Sequence, residues 1–267
     1  MSNGRLYHTE GIIMQRRDQG EADRVLRLCT PSGKVDVLAK GARKVRSRKA
    51  GHIELFARAS FVLSRVPNYW DIISQAETLE PHTRLRSDLL RGAYARYAVE
   101  LLDRFLSDGE GSAAAFDLLN HTLAWLCEAR DLDIIARFYE QHLLGLAGFR
   151  PELFRCVGDH DPRPLLRPRQ RRGAQQPFGI SFENGGALCS KCYEQSQRDR
   201  HVLRLSPAAL RFLQQCQRTT YAELASSGVS RGLHEETERA MRHYISYHLE
   251  QDVKAGAFLR WLKQGKR

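Results

Sequence analysis

The sequence contains no apolar run close to the roughly 20 residues that a membrane-spanning helix needs, and its first residues, MSNGRLYHTEGII, lack the apolar core of a signal peptide. A cytoplasmic protein is expected. Its six cysteines in 267 residues are too few and too scattered for a disulfide scaffold. Acids are scarce beside bases: 31 Asp and Glu against 42 Lys and Arg leave a formal net charge of +11 and a pI near 9.6. That imbalance points to a polyanionic partner and to salt-sensitive binding. Catalytic signatures are missing too. No H-E-x-x-H, G-x-S-x-G, Walker or G-x-G-x-x-G segment occurs, and the acids are scattered, so a protein without enzymatic activity is expected.

What is present begins with a β-rich region. From residue 7 to about 79, YHTEGIIMQRR, ADRVLRLCT, KVDVLAK, IELFARASFVLSRV and YWDIISQAETLE are short runs rich in branched and aromatic residues, separated by turn signals such as Thr30-Pro31-Ser32-Gly33 and Val66-Pro67-Asn68. Five strands without an intervening helix suit a small closed or partly closed barrel of the OB type, because closure removes exposed edges. Within residues 20–56 lies the most informative stretch of the chain. Lys40, Arg43, Lys44, Arg46, Arg48 and Lys49 follow one another with no acid between them. On a loop held by strands they form a candidate nucleic-acid platform, which Arg16, Arg17, Arg24 and Arg27 on the flanking runs extend. Phe56 and Phe61 read as barrel core, whereas Tyr69 and Trp70, at an exposed turn, read equally as core or as base-stacking residues.

After Pro81 the period becomes helical. Leu85, Leu89, Leu90, Ala93, Tyr97, Leu101, Leu102 and Phe105 form one apolar stripe, and residues 113–127 and 132–146 repeat the pattern, with Gly148 and Pro151 closing the third helix. Residues 151–204 break it and carry too little apolar content to fold unaided. Ser206-Pro207 then restarts a helix, and a last helical region runs over 233–261. Cys29, Cys127 and Cys216 sit in apolar patterns and read as inert core thiols. The partition is an α+β multi-domain chain: residues 1–80 a barrel, 81–150 and 205–267 two parts of a helical domain, and 151–204 an insert resembling a zinc ribbon.

In that insert, Cys189-Ser190-Lys191-Cys192 after Gly185-Gly186 has the spacing of a metal knuckle, in which two thiolates turn toward one tetrahedral ion. The upstream half offers Cys156 alone, with Asp159 at the third step or His160 at the fourth as the remaining ligand. A complete structural zinc site and a degenerate ribbon without metal both fit this spacing; redox thiols fit less well because the pair lies outside a βαβ context. A second cationic segment, Arg163 to Arg172, reads as a linker or as added phosphate contacts.

The run RRDQGEADRVLRLCTPSGKVDVLAKGARKVRSRKAGHIELF, the following DIISQAETLE, the SDLLRGAYARYAVELLDRFL helix, FDLL at Phe116, and LCSKC before LSPAALRFL together resemble the bacterial RecO family of recombination mediators. The resemblance covers most of the chain in order. It implies a role in DNA repair and homologous recombination: binding single- and double-stranded DNA, annealing complementary strands and, with RecR, assisting RecA loading onto DNA coated by single-stranded-DNA-binding protein. It also implies a nucleoid-associated location. Position by position, Arg24, Lys34, Lys40, Arg43, Lys44, Arg46 and Arg48 fall in the family's basic barrel region, and Cys156, Cys189 and Cys192 at its knuckle cysteines. Asp159 is the departure, standing where members with a zinc site usually carry cysteine. An RNA-binding or ribosome-associated OB and zinc-ribbon protein is the alternative that shares charge and fold, and a nuclease would need clustered acids.

Overall fold

The computed structural model describes residues 6–108, 112–160, 165 and 177–265. Apart from Leu165, the cationic segment from Arg163 to Arg172 lies outside the described residues. Two compact units arise, Met1–Ala129 with Lys254–Arg267, and Arg130–Val253.

In the first unit, β1 (Leu6–Gln19), β2 (Asp23–Thr30), β3 (Gly33–Ala39), β4 (Arg58–Ser64) and β5 (Asp71–Glu80) close into a barrel in the order β1-β2-β3-β5-β4. Strand β4 shows the expected two-residue period, with Ala59, Phe61 and Leu63 inward. Parallel pairing of Val37 with Asp71 and Leu38 with Ile72 joins β3 to β5, and β1 pairs with both β2 and β4 to complete the ring. A bulge between Ile13 and Gln15 lets the 14-residue β1 serve both neighbours. Ile13, Leu26, Leu28, Val37, Phe61, Leu63 and Ile73 fill the interior. The segment between β3 and β4 is held from below, since Ala42 and Ile53 belong to the same core. Phe56 is buried as the sequence suggested.

Helices α1 (Arg84–Ser87), α2 (Leu89–Phe105), α3 (Ala113–Glu128) and α9 (Lys254–Gly265) complete this unit. The expected single helix after Pro81 is two helices. Asp88 adopts an extended backbone and its carboxylate accepts from the amides of Leu90 and Arg91, so it caps a new helix. The phase slip leaves Leu89 64% exposed, off the apolar stripe that periodicity assigned to it. At the start of α9, the Glu100 carboxylate accepts from the amides of Lys254 and Ala255 at 3.0 and 2.7 Å, a placement that also suits the helix dipole.

The barrel and α2 are joined by charge. Lys34, its side chain only 4% exposed, donates to the carbonyls of Asp103 and Leu106 at the end of α2, both at 2.6 Å, and pairs with the carboxylates of Asp103 and Asp108 at 3.2 and 3.1 Å. Arg27 reaches Asp103 at 2.6 Å, Asp36 at 3.2 Å and Asp108. Hydrogen bonding to Lys34 holds the Asp108 carboxyl below its ordinary range.

The second unit contains α4 (Leu132–Leu146), β6 (Phe178–Ser181), β7 (Gly186–Leu188), α5 (Ser190–Gln195), β8 (Val202–Leu205), α6 (Pro207–Arg218), α7 (Tyr221–Ala225) and α8 (Arg231–Leu249). Gly148, at φ +81°, ends α4 in the left-handed conformation expected of it. Ser206 caps α6 by accepting from the Ala209 amide, with Pro207 in its first turn. The insert folds as an antiparallel sheet in the order β7-β6-β8. Phe182, next to β6, packs edge-on against Tyr244 of α8, which gives the sheet a helical partner. The last helical region is broken at Glu250, whose φ of +54° closes α8 before the chain returns to the first unit as α9. Helical segments grouped by periodicity therefore part company, with α1 to α3 and α9 in one unit and α4 and α6 to α8 in the other.

Cys29 and Cys216 are buried, and burial pushes both thiols up to about 12, consistent with inert packing. Cys127 is half-buried and shifted the same way. Among the described residues no helix is long and apolar enough to cross a membrane. Because truncating Lys34 leaves the Asp103 and Leu106 carbonyls without their donor, while Arg27 still meets Asp103 and Asp108, Lys34→Ala is expected to lower the unfolding free energy by about 2 kcal/mol. Urea denaturation measures it, and a loss under about 1 kcal/mol, the ordinary value of an exposed pair, would refute the joint.

Candidate nucleic-acid interface and metal centre

The cations singled out from the sequence fall into three structural groups. Lys40, Lys44, Arg46 and Arg48 are exposed and form no ion pair among the described residues. The loop that bears them is nevertheless anchored. The Gly41 amide donates to Asp23 at 2.7 Å, the Arg43 amide to the Ala22 carbonyl at 2.9 Å, and Gly41 itself turns at φ +67°. Four charges on a pinned loop stand as a fixed field, without the entropy loss of ordering a tail.

A second group is paired. Asp18 takes Arg24 at 3.0 Å and Arg43 at 3.3 Å, and Arg16 meets Glu54 at 2.6 Å. Arg43 also donates to the Gly20 carbonyl at 2.9 Å. These residues brace β1, β2 and the loop against one another while keeping part of each guanidinium at the surface. The absence of acids inside 40–49 did not reveal them, because Asp18 and Glu54 arrive from neighbouring segments.

The third group is engaged within the fold, which corrects the expectation for the buried Lys34 and gives the half-buried Lys49 a structural contact as well. Lys34 is the buried joint to α2, and Arg27, expected to extend the track, belongs to the same joint. Lys49 donates to the Ile73 carbonyl at 2.6 Å and so fastens the far end of the loop to β5. Burial lowers its pKa, and nearby Lys40 adds to the effect. The physical reason is common to both: an ammonium beside unsatisfied carbonyls is drawn into the fold.

In the second unit the sulfurs of Cys156, Cys189 and Cys192 and a ring nitrogen of His160 all lie within 4.8 Å of one another. The tight turn closed by His160 N to Gly158 O at 2.8 Å brings the imidazole inward, so His160, and not Asp159, completes the set. His160 Nε2 stands 3.5 Å from the Cys189 sulfur. Tetrahedral bonds of about 2.0–2.3 Å require edges of about 3.3–3.8 Å; the His160–Cys189 edge has that length, and three thiols with one imidazole are a donor set that zinc takes. The amides of Gly158 and Cys189 donate to the Cys156 sulfur at 3.5 and 3.1 Å, contacts that orient it within the cluster. Glycine at 158 is required by close approach, since a Cβ there would lie 2.6 Å from the Cys192 sulfur. Burial raises the Cys189 thiol, but hydrogen bonds from the Cys192 amide and His160 outweigh it and bring the group to about 7. Cys192, buried and beside the other two thiols, is pushed up to about 12. The cluster can hold a metal ion. Asp131, Asp133 and His234 also converge, but Asp131 spends its oxygens on capping α4 and on His234 at 2.9 Å, which accounts for that grouping structurally.

A family model described as "Recombination protein O N terminal" matches residues 1–82, and one described as "Recombination protein O C terminal" matches residues 86–257. The chain belongs to the RecO family. The boundary between the two models falls just after the barrel, and the second spans the four metal-site residues. Among curated RecO relatives, the "DNA repair protein RecO" of Roseiflexus sp. (strain RS-1) is 39% identical over 263 residues, covering 97% of this chain and 87% of its own length. Those of Symbiobacterium thermophilum and Desulforamulus reducens are 33% and 32% identical, covering 98% and 96% of this chain and 99% and 94% of their own lengths. The barrel followed by a helical region, with a small sheet inserted, is thus the architecture of a RecO chain.

Protein purified without chelator is expected to carry close to one equivalent of metal per chain. His160→Ala and Cys192→Ser should each remove most of it, whereas Asp159→Ala should retain it; elemental analysis with thiol titration distinguishes these outcomes. Metal lost from Asp159→Ala and kept by His160→Ala would reverse the ligand assignment.

Proposed function

We propose that this chain acts in DNA repair and homologous recombination as a non-enzymatic mediator that binds single- and double-stranded DNA and anneals complementary strands. With RecR it assists RecA loading onto DNA coated by single-stranded-DNA-binding protein. One observation carries the DNA-binding reading: Lys40, Lys44, Arg46 and Arg48 stand exposed and uncompensated on a loop pinned at both ends. The names of its RecO relatives, "DNA repair protein RecO", favour DNA over RNA as the polyanion.

Annealing requires no bond to be made or broken by the protein. Two polynucleotides repel through their phosphates, and a fixed positive field lowers that repulsion while releasing condensed counterions. Contacts to phosphate suit a task that must tolerate any sequence, since they position a strand without reading it. Paired residues such as Arg24 and Arg43 keep the loop in place, and the unpaired four meet the backbone. In the second unit Cys156, His160, Cys189 and Cys192 would hold a zinc ion in a structural role, and these four residues would thereby tie the turn at 156–160 to the β7–α5 corner. A cytoplasmic, nucleoid-associated location follows from this role.

Replacing Lys40, Lys44, Arg46 and Arg48 together by Ala is expected to flatten the dependence of log affinity on log salt by about 3 for single strands, at about 0.7 per phosphate contact. The unfolding midpoint should barely change, because these side chains support no other group. Replacing all four by Glu should abolish annealing of complementary oligonucleotides at moderate salt. A Glu variant that still binds and anneals would refute the reading. Annealing on strands coated with single-stranded-DNA-binding protein, with and without RecR, tests the mediator role.

A further inference from the structure

The turn between β4 and β5 is built around two aromatic rings. Val66, Pro67 and Asn68 lead into Tyr69 and Trp70; Asn68 takes a left-handed backbone at φ +58°, and the Tyr69 amide closes onto the Val66 carbonyl at 3.3 Å. Asp71 locks the base of the turn. One carboxylate oxygen accepts from the Val66 amide at 3.1 Å and the other from the Tyr7 hydroxyl at 2.6 Å, so this acid is engaged within the fold. The turn is therefore rigid, yet Tyr69 is left 56% exposed.

The two rings do not satisfy each other. Their centroids are 5.1 Å apart but the planes are tilted by 49°, which leaves Tyr69 with a face to solvent. Cations flank them. Arg17, on β1 opposite Val25 of β2, holds its guanidinium 5.1 Å from the centre of the Trp70 ring. Arg65, which begins the turn, stands 5.2 Å over Tyr7. Arg17 and Arg65 form no ion pair among the described residues. The platform meets the base of the cationic loop through β1: Arg17, over Trp70, precedes Asp18, which pairs with Arg43 of the loop at 3.3 Å.

We propose that Tyr69 and Trp70, with Arg17 beside them, are a stacking site for unpaired bases, and that this site gives the barrel its preference for single strands over duplex. It rests on the DNA-binding reading above and adds to it the part of the nucleic acid that the phosphate track does not touch. In a duplex the base faces are already stacked on one another, so only a single strand can offer them to an aromatic ring. Phosphates meet the loop and bases meet the turn. A strand held at both places is immobilised on the protein, while its other bases remain free to find a partner strand.

The test uses the full chain with Trp125→Phe and Trp261→Phe, which leaves Trp70 the sole tryptophan of three. Oligothymidylate, an abasic oligomer of the same length and a duplex of the same length are titrated at fixed salt. Emission from Trp70 is expected to be quenched by oligothymidylate and unchanged by the abasic oligomer. Affinity for oligothymidylate should exceed that for the abasic strand about tenfold. Tyr69→Ala should erase this difference with the salt slope and duplex affinity unchanged, and Tyr69→Phe should restore it. Equal affinity of the parent protein for the thymidylate and abasic strands overturns the stacking site alone. So does a Tyr69→Ala protein that still tells them apart. Should the parent protein bind none of the three, the DNA-binding reading fails with it. A melting curve for each variant shows whether it is folded.

Discussion

Every cation on the barrel is settled by whether the fold brings it an acceptor, and the remainder of the structure depends on that sorting. Lys34 is the decisive case. An ammonium buried to this degree would cost several kcal/mol if left alone; two carbonyls at the end of α2 and two carboxylates offset that cost. The same contact satisfies carbonyls that a helix end leaves open and places positive charge where the helix dipole favours it. With Arg27 joined to the same acids, one side of the barrel is committed to the helices. Among the described residues, the charge left over that the site uses stands on the loop between β3 and β4, at Arg17 of β1 and at Arg65 on the β4–β5 turn.

That leftover charge is useful because the backbone beneath it is fixed. Ala42 and Ile53 in the core, Asp23 on the Gly41 amide and Lys49 on the Ile73 carbonyl anchor the loop at several points. Asp18 cross-braces Arg24 and Arg43, so ion pairs that are each worth little at a surface act here as positional ties. The cysteine and histidine cluster would serve the same principle by different chemistry. A three-stranded sheet of four-, three- and four-residue strands has a small interior, and a metal ion held by Cys156, His160, Cys189 and Cys192 would fix what so few apolar contacts leave loose.

Much of this was legible in the chain. Two-residue alternation and turn residues gave five strands, and since closure is the economical answer to exposed edges, the barrel followed. Helical period located α3 and α4, and Ser206-Pro207 marked the start of α6. The knuckle was visible in Cys189 and Cys192 alone. What local reading missed were non-local events: Asp88 lies inside a helical pattern yet caps a new helix, Glu250 divides the helical region of 233–261, and Lys34, placed by resemblance in the basic barrel region, is drawn to α2.

By itself the sequence determined the excess of positive charge, the clustering of six cations in 40–49, the periodicities and the spacing of the thiols, because each is a property of residues close together in the chain. Only the tertiary structure decided which cations are free, that His160 and not Asp159 meets the three sulfurs, and that α9 returns to the unit that contains the barrel. Those outcomes depend on partners such as Asp18, Asp103, Ile73 and Glu100, which are remote in sequence and come within bonding distance only when strands close and helices pack.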